Sequence, residues 1–455
     1  MRDAILTQDI PRIMPALTRP MVVGIAALFF MNLVDTWFIS LLGTESLAAV
    51  GFAMPITLLV MNLSIGLGIA VSALVSQAVG QNDANKIGQR IFASLSLSLL
   101  LGGGLAISGL LAHDAIFAWM GADPVLLPDI RQFMIFWWPG AIVILLVMTQ
   151  NNTLRALGMV KLSSYLLLLG SLLNVLLDPL LIFGVAGWPG LGVGGASLAT
   201  SLSWAIVAAI LLWHQRRHGV LGRFGISLTG LFFIWRRLLV LSVPAMLTNM
   251  LVPVAAAILL LLVAPMGAEA IAAFGVGMRL EPFALVITLA ATAVLPVFVA
   301  QNHAVANDQR IVHALLFAMM RVVLWQSAVV LLFWLLGGVI ARQFSTDVQV
   351  QAYIVDYIRW LSIGYVGMAI VLVLNSALNA LQKPLGSLLL NAVRLLLFYL
   401  PGAYLGAYLA GYRGMVMGAA AGQVVLGVAI WWWLWRNPEW LRTRLAQWRE
   451  HTSTQ

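Results

Sequence analysis

A chain of 455 residues that is 62% hydrophobic and only 9% charged cannot be a soluble globular protein, because it has too few polar residues to face water around so large an apolar core. A formal charge of +9 invites a nucleic-acid or acidic partner, so the placement of the basic residues has to decide. The absence of cysteine excludes a disulfide framework, a thiol nucleophile and any cysteine-ligated metal.

A hydrocarbon core about 30 Å thick needs roughly 20 apolar residues per helical crossing. Twelve such runs follow one another, predicted at 14–42, 47–76, 89–112, 130–150, 160–185 and 190–213, and then at 236–264, 271–300, 312–340, 352–380, 386–409 and 414–436. Stretches such as 91–112 and 255–264 are apolar on every face, unlike the alternating strands of a β-barrel. The chain therefore divides into a first lobe over 1–213, a basic linker over 214–235 containing Gly219, Gly222, Gly225 and Gly230, a second lobe over 236–436 and a tail over 437–455. The first run is too long for a cleavable signal peptide and acts as the insertion signal itself. WWWLW at 431–435 reads as an interfacial aromatic belt, and Trp440, Leu441, Leu445 and Trp448 mark an amphipathic tail on the inner surface.

With the N-terminus inside, basic residues such as Lys86, Arg90, Arg155, Lys161, Arg216, Arg217, Arg223, Arg310, Lys383 and Arg436 all fall on inner segments. The outer ones hold only Arg131, Arg342, Arg359 and Arg413. This asymmetry places a multi-pass protein in a bacterial inner membrane with both termini cytoplasmic, and it explains the net charge without nucleic acid.

Compared with itself, the chain keeps one offset of 224 residues. GTESLAAVGFAM from Gly43 matches GAEAIAAFGVGM from Gly267 at six of twelve positions, and NNTLRAL from Asn151 matches NSALNAL from Asn375 at four of seven. Gln77 falls on Gln301, Lys86 on Arg310, Pro20 on Pro244 and Gly140 on Gly364. Six crossings per repeat give both halves the same orientation, so the fold is an all-α integral membrane protein with two six-helix bundles related by a pseudo-twofold axis along the membrane normal. A cleft near that axis suits alternating access.

Charges inside spans are costly and usually functional. Asp35, Asp178 and Glu281 are the candidates, and the repeat does not duplicate the first two: Asp35 falls on Leu259, Asp178 on Gly402 and Asn174 on Phe398. At about 1.5 Å per residue, Asp35 and Asp178 lie roughly 12 Å below the outer ends of their helices. Asn174 and Asp178 share a helix face, as do Asn32 and Asp35, and Pro179 withholds a backbone donor from the Val175 carbonyl. Two carboxylates at one level in a low-dielectric bundle titrate as a coupled pair, as a proton-coupled carrier requires. Arg279 and Glu281, beside Pro282, read as a local structural ion pair with a gating role as the alternative, and Arg394 either pairs with Glu281 or snorkels inward. Met54, Met61, Met278, Trp137 and Trp138 read as core or lipid-facing residues rather than as the walls of an adaptable cavity.

NLVDTWFISLLGTESLAAVGFAMPI, VSQAVGQND with Gln77, NTLRALG and LLNVLLDPLLIFG together resemble the multidrug and toxic compound extrusion (MATE) family over essentially the whole chain. Within the family the chain is similar to the DinF-like branch. That resemblance implies a cation site in the first lobe at Asp35, Asn174 and Asp178, a supporting polar network that includes Asn151 and that Asn32 joins by its spacing from Asp35, and a hinge at Pro20. The acids that the NorM-like branch places in the seventh and tenth helices have no convincing match here. The resemblance implies a monomeric antiporter among membrane lipids, exporting cationic amphipathic drugs in exchange for protons, or alternatively sodium, with no cofactor and no metal. A lipid-linked oligosaccharide flippase of the same superfamily would carry more cations in its cavity. An integral-membrane transferase would need a cluster of His or acids. No GxxxxGK[ST] phosphate loop is present, so ATP hydrolysis by this chain is not the energy source.

Overall fold

The computed structural model describes residues 2–121, 124–185, 187, 189–217 and 226–453. Gly219, Gly222, Arg223 and Gly225 of the linker and the last two residues of the tail lie outside the described residues. A short helix, Arg2–Thr7, precedes α1 (Ile10–Ser40), α2 (Thr44–Gly80), α3 (Ala84–Trp119), α4 (Leu127–Ala156), α5 (Val160–Phe183) and α6 (Gly192–Arg217). The second half holds α7 (Leu228–Val263), α8 in two pieces (Ala268–Ala284 and Val286–Ala304) and α9 (Asp308–Phe344). It continues with α10 (Val348–Asp356, a π-helical Tyr357–Leu361 and Ser362–Ala380), followed by one continuous run and a tail helix, Pro438–Ser453.

That run, Pro384–Arg436, is 53 residues long and is two crossings rather than one. At Ala410 (φ −148°, ψ 30°) and Gly411 (φ 58°, ψ −142°) the backbone leaves the helix and reverses. We therefore treat 384–409 as α11 and 412–436 as α12. Their crossing is a row of glycines: a Cβ on Gly402 would stand 2.4 Å from the Gly418 carbonyl oxygen, and one on Gly406 would stand 1.9 Å from that of Gly414. Lipid tails are as apolar as leucine, so helices associate in a membrane through close backbone packing, which small residues permit.

The repeat is visible in the turns. Left-handed backbone recurs at the 224 offset four times: Gly43 with Gly267, Asn82 with Ala306, Gly158 with Gln382 and Gly187 with Gly411. The turn hydrogen bonds recur as well. Asn82 N–H to the Val79 carbonyl is matched by Ala306 N–H to that of His303, and Met159 N–H to Leu154 is matched by Lys383 N–H to Leu378.

Contacts divide the chain into two compact units, Val23–Met246 and a second formed by Met1–Val22 with Leu247–Gln455. The two cuts, after Val22 and after Met246, are again 224 apart. These units differ from the lobes expected at 1–213 and 236–436, and the local chemistry shows why. In the first unit the Trp235 indole donates to the Ala93 carbonyl (3.0 Å) and Ser96 Oγ (3.1 Å), tying the start of α7 to α3. In the second, Arg310 donates to the Ile5 carbonyl (3.1 and 3.2 Å) and to that of Gln8, and Ile5 is fully buried. The first unit's core gathers α2, α3 and α4 around Phe117, Met134, Trp137 and Trp138. The second's gathers α7 to α12 around Phe274, Tyr357, Tyr365 and Met415.

Ala306 and Gln382 occupy backbone that glycine adopts freely. Ala306→Gly and Gln382→Gly are each expected to stabilise the protein by about 0.5–1 kcal/mol, after the entropy of the added glycine is subtracted. Thermal unfolding in detergent would read this as a higher midpoint, and a lowered one would contradict it.

Candidate functional site

α1 and α5 come together at two levels. At the lower one, a Cβ on Gly24 would meet Ser164 Oγ at 2.9 Å. At the upper one, Phe38 lies edge-on to Phe183 at a centroid distance of 6.2 Å, and Ile39, Ile182 and Ala196 form a buried cluster. Ile39 and Ile182 follow Asp35 and Asp178 by four residues each, so each aspartate sits one turn below the same apolar cluster.

Asn174 and Asp178 are fully buried on one face of α5. The Asn174 amide donates to Asp178 Oδ1 (3.2 Å) and to Thr200 Oγ1 on α6 (3.1 Å). Asp35 is half-buried and close enough for its charge to act on Asp178. Asp35 Oδ1, Asp178 Oδ2 and Asn174 Oδ1 are all buried without a donor among the described residues. Pro179 has no N–H to offer the Val175 carbonyl, which adds a further acceptor to this turn. The cluster is rich in acceptors and poor in donors, which is the chemistry that suits a proton or a hard cation.

Neither residue assigned to support this network bonds to it. Asn32 is exposed, and its amide donates to the Leu28 carbonyl of its own helix (2.8 Å). Asn151 is locked in a buried joint between α4 and α5, donating to the Ser163 carbonyl (3.1 Å) and accepting from Ser163 Oγ (2.8 Å). Ser163 precedes Asp178 by 15 residues, roughly 22 Å along α5, so Asn151 fastens the base of the bundle. Pro20 lies inside a continuous α1, two residues before the first of the two unit boundaries.

The reading of Arg279 and Glu281 as a local ion pair is also corrected. Arg279 is exposed, whereas the Glu281 carboxylate accepts from the hydroxyls of Tyr357 and Tyr365 (3.4 Å each). The cation whose charge acts on Glu281 is Arg394. Arg394 is buried, not snorkelling, and donates to Asn391 Oδ1 (3.0 Å) and Gln423 Oε1 (3.0 Å). Tyr357 and Arg394 both sit on π-helical turns, Tyr357–Leu361 and Val393–Tyr399. Such turns re-aim side chains and are frequent at functional sites. The sequence carries no mark of either turn, and Thr200 was hidden as one hydroxyl among many in apolar spans.

The MatE family model matches residues 20–180 and 244–405. The FAD transporter of Shewanella oneidensis is 32% identical over 432 residues, covering 95% of this chain and 96% of the relative. A probable multidrug resistance protein of Bacillus subtilis, YpnP, is 23% identical over 88% of this chain and 89% of its own. Among solved structures, the Vibrio cholerae MATE transporter VcmN in the bent form superposes with a TM-score of 0.88 at 26% identity, covering 98% of this chain and 99% of that one. A MATE transporter in the straight conformation superposes equally well, with a TM-score of 0.88 at 25% identity over 98% of each chain.

Two substitution sets follow. Asn151→Ala is expected to cost about 1–3 kcal/mol by stranding the Ser163 hydroxyl and carbonyl. It should leave the infrared band of protonated Asp178 unmoved, whereas Asn174→Leu moves it. Arg394→Met alone is expected to cost about 1–3 kcal/mol, because Asn391 and Gln423 lose their shared donor and Glu281 loses the field of a cation. The double change with Glu281→Gln should cost clearly less, and equal losses in thermal unfolding would refute the pairing.

Proposed function

Because the chain belongs to the MatE family of membrane transporters, we propose that it is a secondary active antiporter of the bacterial inner membrane, with both termini cytoplasmic, which exports organic solutes in exchange for protons by alternating access. The observation that carries this reading is the buried acceptor cluster at Asp35, Asn174 and Asp178, whose unmatched oxygens call for a proton. When the two aspartates are deprotonated, the first unit holds buried negative charge that attracts an organic cation. Protonation of Asp35 or Asp178 removes that charge and supplies an O–H donor to a neighbouring acceptor. The hydrogen bonds between α1 and α5 then change, and α1 bends near Pro20, where proline has already removed one backbone bond. Solved relatives in a bent form and in a straight conformation support such a helix rearrangement. Sodium fits the same oxygen set, as the alternative coupling ion.

For the solute, cationic amphipathic compounds suit an acidic site, and the multidrug relative supports that class. A second reading, export of a flavin dinucleotide, is favoured by the Shewanella relative's match over nearly the full length of both chains.

Transport into inverted vesicles under an imposed pH gradient, and then under a sodium gradient with pH clamped, tests the scheme with a fluorescent organic cation and with FAD as separate solutes. Asp35→Asn and Asp178→Asn are each expected to lower proton-driven uptake by about tenfold or more, the scale of a typical coupling free energy. Undiminished proton-driven uptake of whichever solute the wild-type protein carries, in both variants, would refute it.

A further inference from the structure

The second unit carries a feature that the transport cycle does not use. A groove of about 550 Å³ opens between α9, α10, α12 and the tail helix. Its floor is aliphatic, with Leu315, Leu378 and Ile430, and its walls are the indoles of Trp432, Trp433, Trp440 and Trp448. This size falls within the range of pockets that enclose a ligand. Trp432 and Trp440 remain 52% and 42% exposed, although the tail helix is held down by buried Leu441 and Leu445 and by the Arg449–Asp308 ion pair.

The rim has one sign. The Arg436 guanidinium lies 4.6 Å above the Trp432 ring, that of Arg444 lies 5.3 Å above Trp440, and the Lys383 ammonium lies 5.9 Å from the centre of Trp448. Nearby acids are already engaged, Glu439 by Arg442 (2.5 Å) and Asp308 by Arg449. Arg436, Arg444 and Lys383 have no carboxylate partner within salt-bridge distance among the described residues, so they present net positive charge at the mouth of an apolar slot.

A slot walled by tryptophan and rimmed by cations, where a crossing helix ends, has the chemistry of the membrane interface. Basic pockets of this kind between spanning helices hold anionic headgroups. We infer that this groove binds one anionic phospholipid, an acyl chain lying against Leu315, Leu378 and Ile430 and the phosphate held by Lys383, Arg436 and Arg444. The bound lipid completes the seat of the tail helix. The inference depends on the chain lying in a membrane and is independent of the coupling ion and of the exported solute.

Native mass spectrometry of the full-length protein in detergent, titrated with dioleoylphosphatidylglycerol or dioleoylphosphatidylcholine, tests it. One phosphatidylglycerol should be retained in preference to phosphatidylcholine. Lys383→Ala and Arg436→Ala should each weaken that retention about fivefold while leaving phosphatidylcholine unchanged. Leu378→Trp, which fills the floor, should abolish the preference. The two cation variants lie at the rim, so they keep the test decisive if the filled variant does not fold. Equal retention of both lipids, indifference to the cation variants, or a second copy of the chain retained in place of lipid would each overturn the assignment.

Discussion

In hydrocarbon there is no water to complete a hydrogen bond, so each buried acceptor needs a donor from the protein or an ion. The two units meet this constraint differently. Glu281 receives two tyrosine hydroxyls and lies within the field of Arg394, itself held by Asn391 and Gln423. Its Oε2 receives donors from within the unit. The cluster of Asp35, Asn174 and Asp178 has one amide donor, shared between Asp178 and Thr200, set against several acceptor oxygens. That shortage is the reason we propose ion coupling there and a structural role for Glu281.

The shortage is held in place by packing. Ile39 and Ile182 cap the cluster on one side with Phe38 and Phe183, and the close approach of Gly24 to Ser164 fixes the same two helices below it. Asn151 and Ser163 pin α4 to the base of α5, far from the carboxylates. A lower joint that stays fixed lets a change in charge higher up act on a short helical segment rather than spread through the bundle.

Much of this was legible in the sequence because it lies in periodicity and in rare residue types. Apolar runs long enough to cross a bilayer mark each helix, the 224 offset aligns Gly43 with Gly267, and an acid inside a span stands out against leucine and valine. What stayed hidden depends on rotation about a helix axis. Asn32 and Asp35 are three residues apart, yet Asn32 is exposed and bonds its own backbone. Asn151 sits in a motif that suggests proximity to the acids, but its partner is Ser163. The π-helical turns at Tyr357–Leu361 and Val393–Tyr399 shift the register of the side chains that follow, and no residue pattern announces them. The linker assignment placed lobe boundaries in a loop, whereas the structure places them within helices.

That last difference bears on mechanism. The compact units change over inside α1 after Val22 and inside α7 after Met246, each two residues beyond a matched proline, Pro20 or Pro244. Proline withholds one backbone N–H from the turn before it and makes bending easiest there. A symmetric scaffold therefore puts a weak point in both helices, but only α1 carries an acid farther along, because Asp35 corresponds to Leu259 in α7. Duplication supplied two equivalent bending points, and the later loss or gain of single side chains left one of them connected to a group whose charge can change. On the proposed scheme, a proton taken up at Asp35 thus acts on the one of two similarly weakened helices that carries an acid beyond its bend.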